Sequence, residues 1–181
     1  MFYLIGINHW YQYKNDEKTQ EFLKYVRAII KEKSIEVLAE EWNTDADKLN
    51  EITQSNLAAL AKELNKTLLQ FEALENQQTE FGIMTKVQMS AQAREQVPHI
   101  QNFEDIQKKE KIIQELRKQN LDPRENYWLG FLKPYFDKTV LLICGNDHII
   151  TFGQKLKNAG AQFEVLSTGV WTLPEFYGFE I

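Results

Sequence analysis

Twice along this chain a short apolar run gives way to apolar residues at spacings of three and four, and then to a second short run. That alternation restricts the chain to few folds. Residues Phe2 to Ile7 form a compact apolar segment that contains Gly6 and is followed by polar Asn8 and His9, the pattern of a buried strand ending in a turn. From Glu17 to Lys33, Phe22, Tyr25, Val26, Ile29 and Ile30 line one face of an amphipathic helix. A second strand is expected from Ile35 to Ala39, ending abruptly at Glu40, Glu41 and Trp42. Strand, helix and strand over so short a stretch make a βαβ unit with parallel strands.

The C-terminal third repeats the scheme. Thr139 to Cys144, rich in branched residues, predicts a strand, Gly145 to His148 a turn, and Ile149 to Ala159 a helix stopped by Gly160. Gln162 to Leu166 completes the second unit as a fourth strand. Between the two units, residues 45–136 read as a mainly helical insertion. Leu57, Leu60, Ala61, Leu64, Leu68 and Phe71 keep helical register, which predicts one long helix over 45–74 with Asp45 at its cap. Residues 76–101 lack periodicity and read as loop or short helices. Ile106, Ile112, Ile113 and Leu116 predict a helix over 103–119, and a further helix to about Phe136 is expected with Asp122 as cap, Pro123 in its first position and Glu125 three residues after the cap. The expected fold is α/β: a mostly parallel sheet with flanking helices and a long helical insertion between the second and third strands, in a single domain over residues 1–181.

Composition narrows the function classes. With 43% hydrophobic residues and only 8 Gly and 4 Pro, the chain is a globular protein and not a low-complexity one. Its 26 acidic against 21 basic residues give a net charge of -5, the wrong sign for capturing a phosphate backbone, so nucleic acid is not an expected partner. The runs Lys31-Glu32-Lys33 and Lys108-Lys109-Glu110-Lys111 carry acids within them and read as solvated helix faces. The single cysteine, Cys144, has no internal disulfide partner, and the Met1 end lacks the pattern of an export signal; a reducing, cytoplasmic setting is the expectation. The longest apolar run, Val140 to Cys144, is far short of a membrane span. The end of the chain from Gly169 to Ile181 carries Trp171, Phe176, Tyr177 and Phe179, and is expected to pack either on its own body or in a homodimer interface.

In open parallel sheets, ligands bind beyond the carboxyl ends of the strands. The turns there carry a repeated motif, Gly6-Ile7-Asn8-His9 after the first strand and Gly145-Asn146-Asp147-His148 after the third, with Glu40-Glu41 after the second. Two histidines and at least one carboxylate therefore converge on one rim from opposite ends of the sequence. Glu40 and Glu41 point to opposite faces of an extended strand, one toward the site and the other toward solvent. Neutral imidazoles and carboxylates suit a divalent transition metal, with His9, Glu41 and His148 as ligands, and equally suit proton transfer to and from water. Arg124, beside the capping candidate Glu125, is suited to bind a carboxylate or a developing oxyanion. His99, beside Pro98, reads as ordinary surface. Neither glycine turn carries the Gly-x-Gly-x-x-Gly of a dinucleotide site.

This arrangement resembles the TraB/Tiki-like superfamily, which also gathers ChaN-like and erythromycin esterase-like proteins. The resemblance rests on Gly6 with His9, on Glu40 or Glu41, on Arg124 in Arg124-Glu125-Asn126-Tyr127-Trp128, and on Gly145 with His148. It implies a site in which histidines and glutamate carry the chemistry: Tiki-like members are metal-dependent peptidases, esterase-like members are hydrolases, and ChaN-like members bind haem. The leading expectation is a hydrolase, peptidase-like or esterase-like and working either with or without a divalent transition metal, that acts on a small-molecule or peptide substrate through His9, Glu40, Glu41, Arg124 and His148. The alternative is a non-catalytic module that holds a small anionic ligand or haem on the same rim.

Overall fold

The computed structural model describes residues 1–42 and 54–171. Its elements in chain order are β1 (Phe2–Ile7), α1 (Trp10–Tyr13), α2 (Glu17–Glu32), β2 (Val37–Glu40), α3 (Asn56–Glu63) and β3 (Thr67–Gln70). After these come α4 (Glu75–Gln78), α5 (Lys86–Gln96), α6 (Phe103–Gln119), α7 (Leu121–Leu132), β4 (Val140–Gly145), α8 (Ile149–Asn158) and β5 (Phe163–Trp171). The chain divides into two compact units, Met1–Glu72 with Leu129–Ile181, and Ala73–Trp128. No described helix is long and apolar enough to cross a membrane.

The first unit is the α/β body, built on an all-parallel sheet in the order β3-β2-β4-β1-β5. β1 and β2 are not neighbours: β4 lies between them, pairing with β1 from Phe2–Val140 to Ile7–Gly145 and with β2 from Val37–Val140 to Glu40–Ile143. Strand pleating sends alternate side chains to opposite faces. Ile5 and Ile7 of β1, Leu38 of β2 and Leu141 and Ile143 of β4 form one apolar layer with Phe22, Val26, Ile29 and Ile30 of α2 and Leu57, Leu60 and Ala61 of α3. The alternate set on β1 meets α8, because a side chain on Gly6 would strike Ile149. Helices thus cover both faces, as a parallel sheet requires.

Local chemistry explains where α2 begins and ends. The Asp16 carboxylate caps the helix by accepting from the Thr19 N–H at 2.8 Å, and also accepts from the Trp10 indole N–H at 2.8 Å. Together these hold the Asp16 carboxyl below the usual range, the indole bond contributing most. Ser34, at φ 52, turns the chain out of the helix into β2. Arg27 of α2 donates two hydrogen bonds of 2.6 Å to the Glu63 carboxylate of α3, a forked pair that fixes the two helices side by side.

The expected strands at 2–7, 35–39, 139–144 and 162–166 are all present with small shifts of boundary, β5 running on to Trp171. The single helix expected over 45–74 is corrected: α3 ends at Glu63, Asn65 adopts φ 50, and Thr67–Gln70 forms the edge strand β3 beside β2. Leu68 and Phe71 keep helical spacing by coincidence, while asparagine in the left-handed region stops the helix. Asp45 and the tail beyond Trp171 lie outside the described residues.

The second unit is helical. α5 and α6 pack together, and α5 starts with a capping box in which Thr85 and Gln88 exchange side-chain and backbone hydrogen bonds. Asn120, the sole residue between α6 and α7, accepts from the Met84 N–H at 2.8 Å and donates to the Met84 carbonyl at 2.9 Å. α7 begins at Leu121, so Asp122 lies in its first turn and not at its cap; the Asp122 carboxylate accepts from Asn126 at 3.0 Å. α7 then carries the chain back into the α/β body.

Two outcomes check this account. A Cβ on Gly6 would collide with the Asn146 side chain and lie 2.8 Å from Ile149, so Gly6→Ala is expected to cost about 1–3 kcal/mol, read from the urea midpoint. Because the Asp16 carboxyl is depressed in the folded state, its stabilisation is complete above the ordinary carboxylate range and lost as pH falls through its lowered value. Asp16→Ala should therefore lower the melting temperature at neutral pH, with the gap to wild type closing as the pH is taken down.

Candidate functional site

β1 ends at Ile7, and the next residues form a tightly tied corner. Asn8 donates its backbone N–H to the Trp171 carbonyl at 2.8 Å and accepts at its side chain from the Trp10 N–H at 3.0 Å. His9 is the N-cap of the single-turn helix α1. The far end of α1 is held by Asn56 of α3, which donates to the Tyr11 and Lys14 carbonyls at 3.0 and 2.7 Å. Tyr11 is buried in an aromatic cluster with Phe22 and Trp171, at ring separations of 5.3–5.8 Å. One short helix is thus anchored at both ends and beneath, so the His9 side chain starts from a fixed backbone.

The parallel register brings Gly145 opposite Ile7 and extends the β2 ladder one residue beyond Glu40, through the Glu41 N–H to the Ile143 carbonyl at 2.9 Å. Here the expected rim assembles. A Cβ placed on Gly145 would lie 3.4 Å from His9 Nε2, 3.5 Å from Glu41 Oε2 and 3.7 Å from His148 Cδ2. All three side chains therefore surround one small recess. Glu41 Oε2 accepts from the Gly145 N–H at 2.8 Å, and Glu41 Oε1 stands 3.5 Å from His9 Nε2. The His9 side chain is 51% exposed whereas Glu41 is 5% exposed, so solvent reaches the pair from the imidazole side. His148 closes a short helical turn over Asn146–His148, serves as N-cap of α8 and is buried.

Neither glutamate meets solvent, which corrects the expectation that one of them would. Glu40 is fully buried on the face opposite Glu41 and accepts hydrogen bonds from the Ser55 hydroxyl, from Gln70 at 3.0 Å and from Gln12 at 3.3 Å. It supports the site from behind. Gln12 is the residue the sequence reading missed. Buried in α1 and three positions after His9, it lies on the same helical face, which is the only signal that pointed to it. Its Oε1 stands 2.6 Å from His9 Nδ1, and its Nε2 donates to the Glu41 carbonyl at 2.9 Å.

Glycine is needed at these two turns for room. Gly145 has φ -58, which any residue adopts, and Gly6 also lies outside the left-handed region. At Gly6 the room is taken by Asn146, whose side-chain oxygen accepts from the Gly169 N–H at 2.9 Å. At Gly145 it faces the recess. Arg124 belongs to the second unit, in α7, with its guanidinium 5.3 Å from the Trp128 ring centroid. His99 is exposed, as expected.

Among the described residues no three His, Cys, Asp or Glu side chains are placed to hold one metal ion. A catalytic zinc site draws on three protein donors, and the facing pair His9 Nε2 and Glu41 Oε1 supplies two. The described donors that face one another directly are this pair. What they do provide is an imidazole and a carboxylate facing each other across a solvent-reached gap. No family model, curated protein or solved structure matches the chain.

Because the backbone at Gly145 accepts a side chain and the nearest atoms stand at ordinary contact distance, Gly145→Ala should melt within about 1 kcal/mol of wild type. The added methyl would fill the recess. Loss of turnover or ligand binding with retained melting is the expected result.

Proposed function

We propose that the chain is a hydrolase of small-molecule or peptide acyl substrates, with His9 as general base and Glu41 as its carboxylate partner. The observation that carries this reading is the meeting of His9 Nε2, Glu41 and His148 around Gly145 at the carboxyl ends of β1, β2 and β4. In the proposed reaction a water in the recess gives its proton to His9 Nε2 as its oxygen attacks the acyl carbon. Collapse of the tetrahedral intermediate breaks the bond to the leaving group, which takes the same proton back from the imidazolium. Glu41, 3.5 Å away, stabilises that imidazolium and, held by the Gly145 N–H, keeps its place as charge develops. His148 walls the recess on the α8 side. Glu40 acts through Gln12. The resemblance to the TraB/Tiki-like superfamily supports the same reaction class.

The test is turnover of chromogenic ester and peptide panels by wild type and by single variants. His9→Ala and Glu41→Gln are each expected to lower kcat by about 10²–10⁴-fold, the usual worth of a positioned acid or base. His9 is half exposed, so its variant should melt as wild type does. Wild-type rates in the His9 variant would end the assignment.

A further inference from the structure

Gln12 carries information that the rim residues alone do not. A primary amide has one acceptor oxygen and an NH2 group with two donors, and its orientation follows from its surroundings. The Gln12 Nε2 end faces two oxygens, the Glu41 carbonyl at 2.9 Å and Glu40 Oε2 at 3.3 Å. The main-chain carbonyl of Glu41 has no proton to offer and so requires a donor from Gln12. Turning the amide over would set its oxygen against both and abandon two buried hydrogen bonds. The orientation is therefore fixed, and Oε1 faces His9 Nδ1 at 2.6 Å.

We infer that Gln12 is a positioning residue that locks neutral His9 as the Nδ1–H tautomer, making Nε2 the free base. This inference rests on the reading of His9 as the base and specifies which nitrogen does the work. The ring faces two acceptors, but Gln12 Oε1 at 2.6 Å is within hydrogen-bond reach of Nδ1 whereas Glu41 Oε1 at 3.5 Å is too far for a good bond to Nε2, so the one proton of the neutral ring goes to Nδ1 and the lone pair to Nε2. That is the nitrogen on the recess, 3.5 Å from Glu41 Oε1 and 3.4 Å from the position a Gly145 Cβ would take. An exposed imidazole in water favours the opposite tautomer, with Nε2 protonated. Left to itself, His9 would present an Nε2–H to the recess, a donor that Glu41 can accept but not a general base. Second-partner bonds to the far ring nitrogen set tautomer and ring orientation in this way at metal and catalytic sites alike. Gln12 is itself buried and tied to both glutamates, so the lock is rigid.

The experiment is long-range ¹H–¹⁵N correlation spectroscopy of the imidazole nitrogens in the full chain, at a pH where the ring is neutral. The His9 signals are those absent from His9→Ala. In wild type, Nδ1 is expected to show the shift of a protonated nitrogen and Nε2 that of an unprotonated one. Gln12→Met keeps the length and loses the acceptor, and should exchange the two shifts. A purely structural role for Gln12 would move melting and leave the tautomer alone. A wild-type His9 protonated at Nε2 overturns the inference with no variant needed, and so does a Gln12→Met protein that keeps Nδ1–H. The hydrolase reading fails separately: an inactive wild type with Nδ1–H in place removes the reaction and leaves the lock standing.

Discussion

The pairing of β4 with β1 is the interaction from which the rest follows. Six residue pairs in parallel register, Phe2–Val140 through Ile7–Gly145, bring the ends of two strands that are far apart in sequence to the same height at the carboxyl edge. Because β4 also pairs with β2, the end of the second strand arrives at that edge too. The helix that follows β4 lies on the face opposite α2, so the chain leaves neighbouring strands in opposite directions around this point. In open α/β sheets that divergence opens a crevice. His9, Glu41 and His148 sit in it because the register leaves them nowhere else.

A buried carboxylate is costly unless its oxygens are occupied. Here two adjacent carboxylates are buried, and the chain treats them differently. Glu40 is saturated by hydrogen bonds from Ser55, Gln70 and Gln12, drawn from three separate elements, and so becomes a fixed anchor. Glu41 uses one oxygen to receive the Gly145 N–H and turns the other toward His9. Gln12 joins the two systems. The polar network is therefore continuous from the core side of β2 to the solvent side of His9, while the aromatic cluster of Tyr11, Phe22 and Trp171 holds α1 from below.

Much of this was visible in the residues. The compact apolar runs and the helical spacings on either side of them located both βαβ units, since burial on both faces of a parallel strand and on one face of a helix leaves distinct periods. The glycine-to-histidine spacing placed both imidazoles on the rim. β3 escaped because four residues are too few to establish a strand period, and the leucines around it fit the preceding helical register; Asn65 was the overlooked stop signal. The burial of Glu40 was hidden for another reason. Its partners Ser55 and Gln70 come from distant segments, and only the tertiary fold discloses that three donors wait for it. Gln12 was passed over because a glutamine bears no reactive group and its value lies in what it imposes on a neighbour.

The strand order has a consequence for how the protein is made. β1 leaves the ribosome before the other strands of the sheet, yet both of its ladder partners, β4 and β5, follow β2 and β3 in the sequence. Until Val140 and the residues after it emerge, β1 has two open edges and β2 lacks its central neighbour. Translation at about 5–20 residues per second leaves that apolar strand unpaired for seconds, the condition under which exposed edges recruit other chains. A nascent chain that stalls before β4 already carries His9, Gln12 and Glu41 but lacks the strand whose register sets them side by side. The central ladders of this sheet therefore join segments far apart in sequence, the kind of pairing whose loop closure must precede its reward and which slows folding.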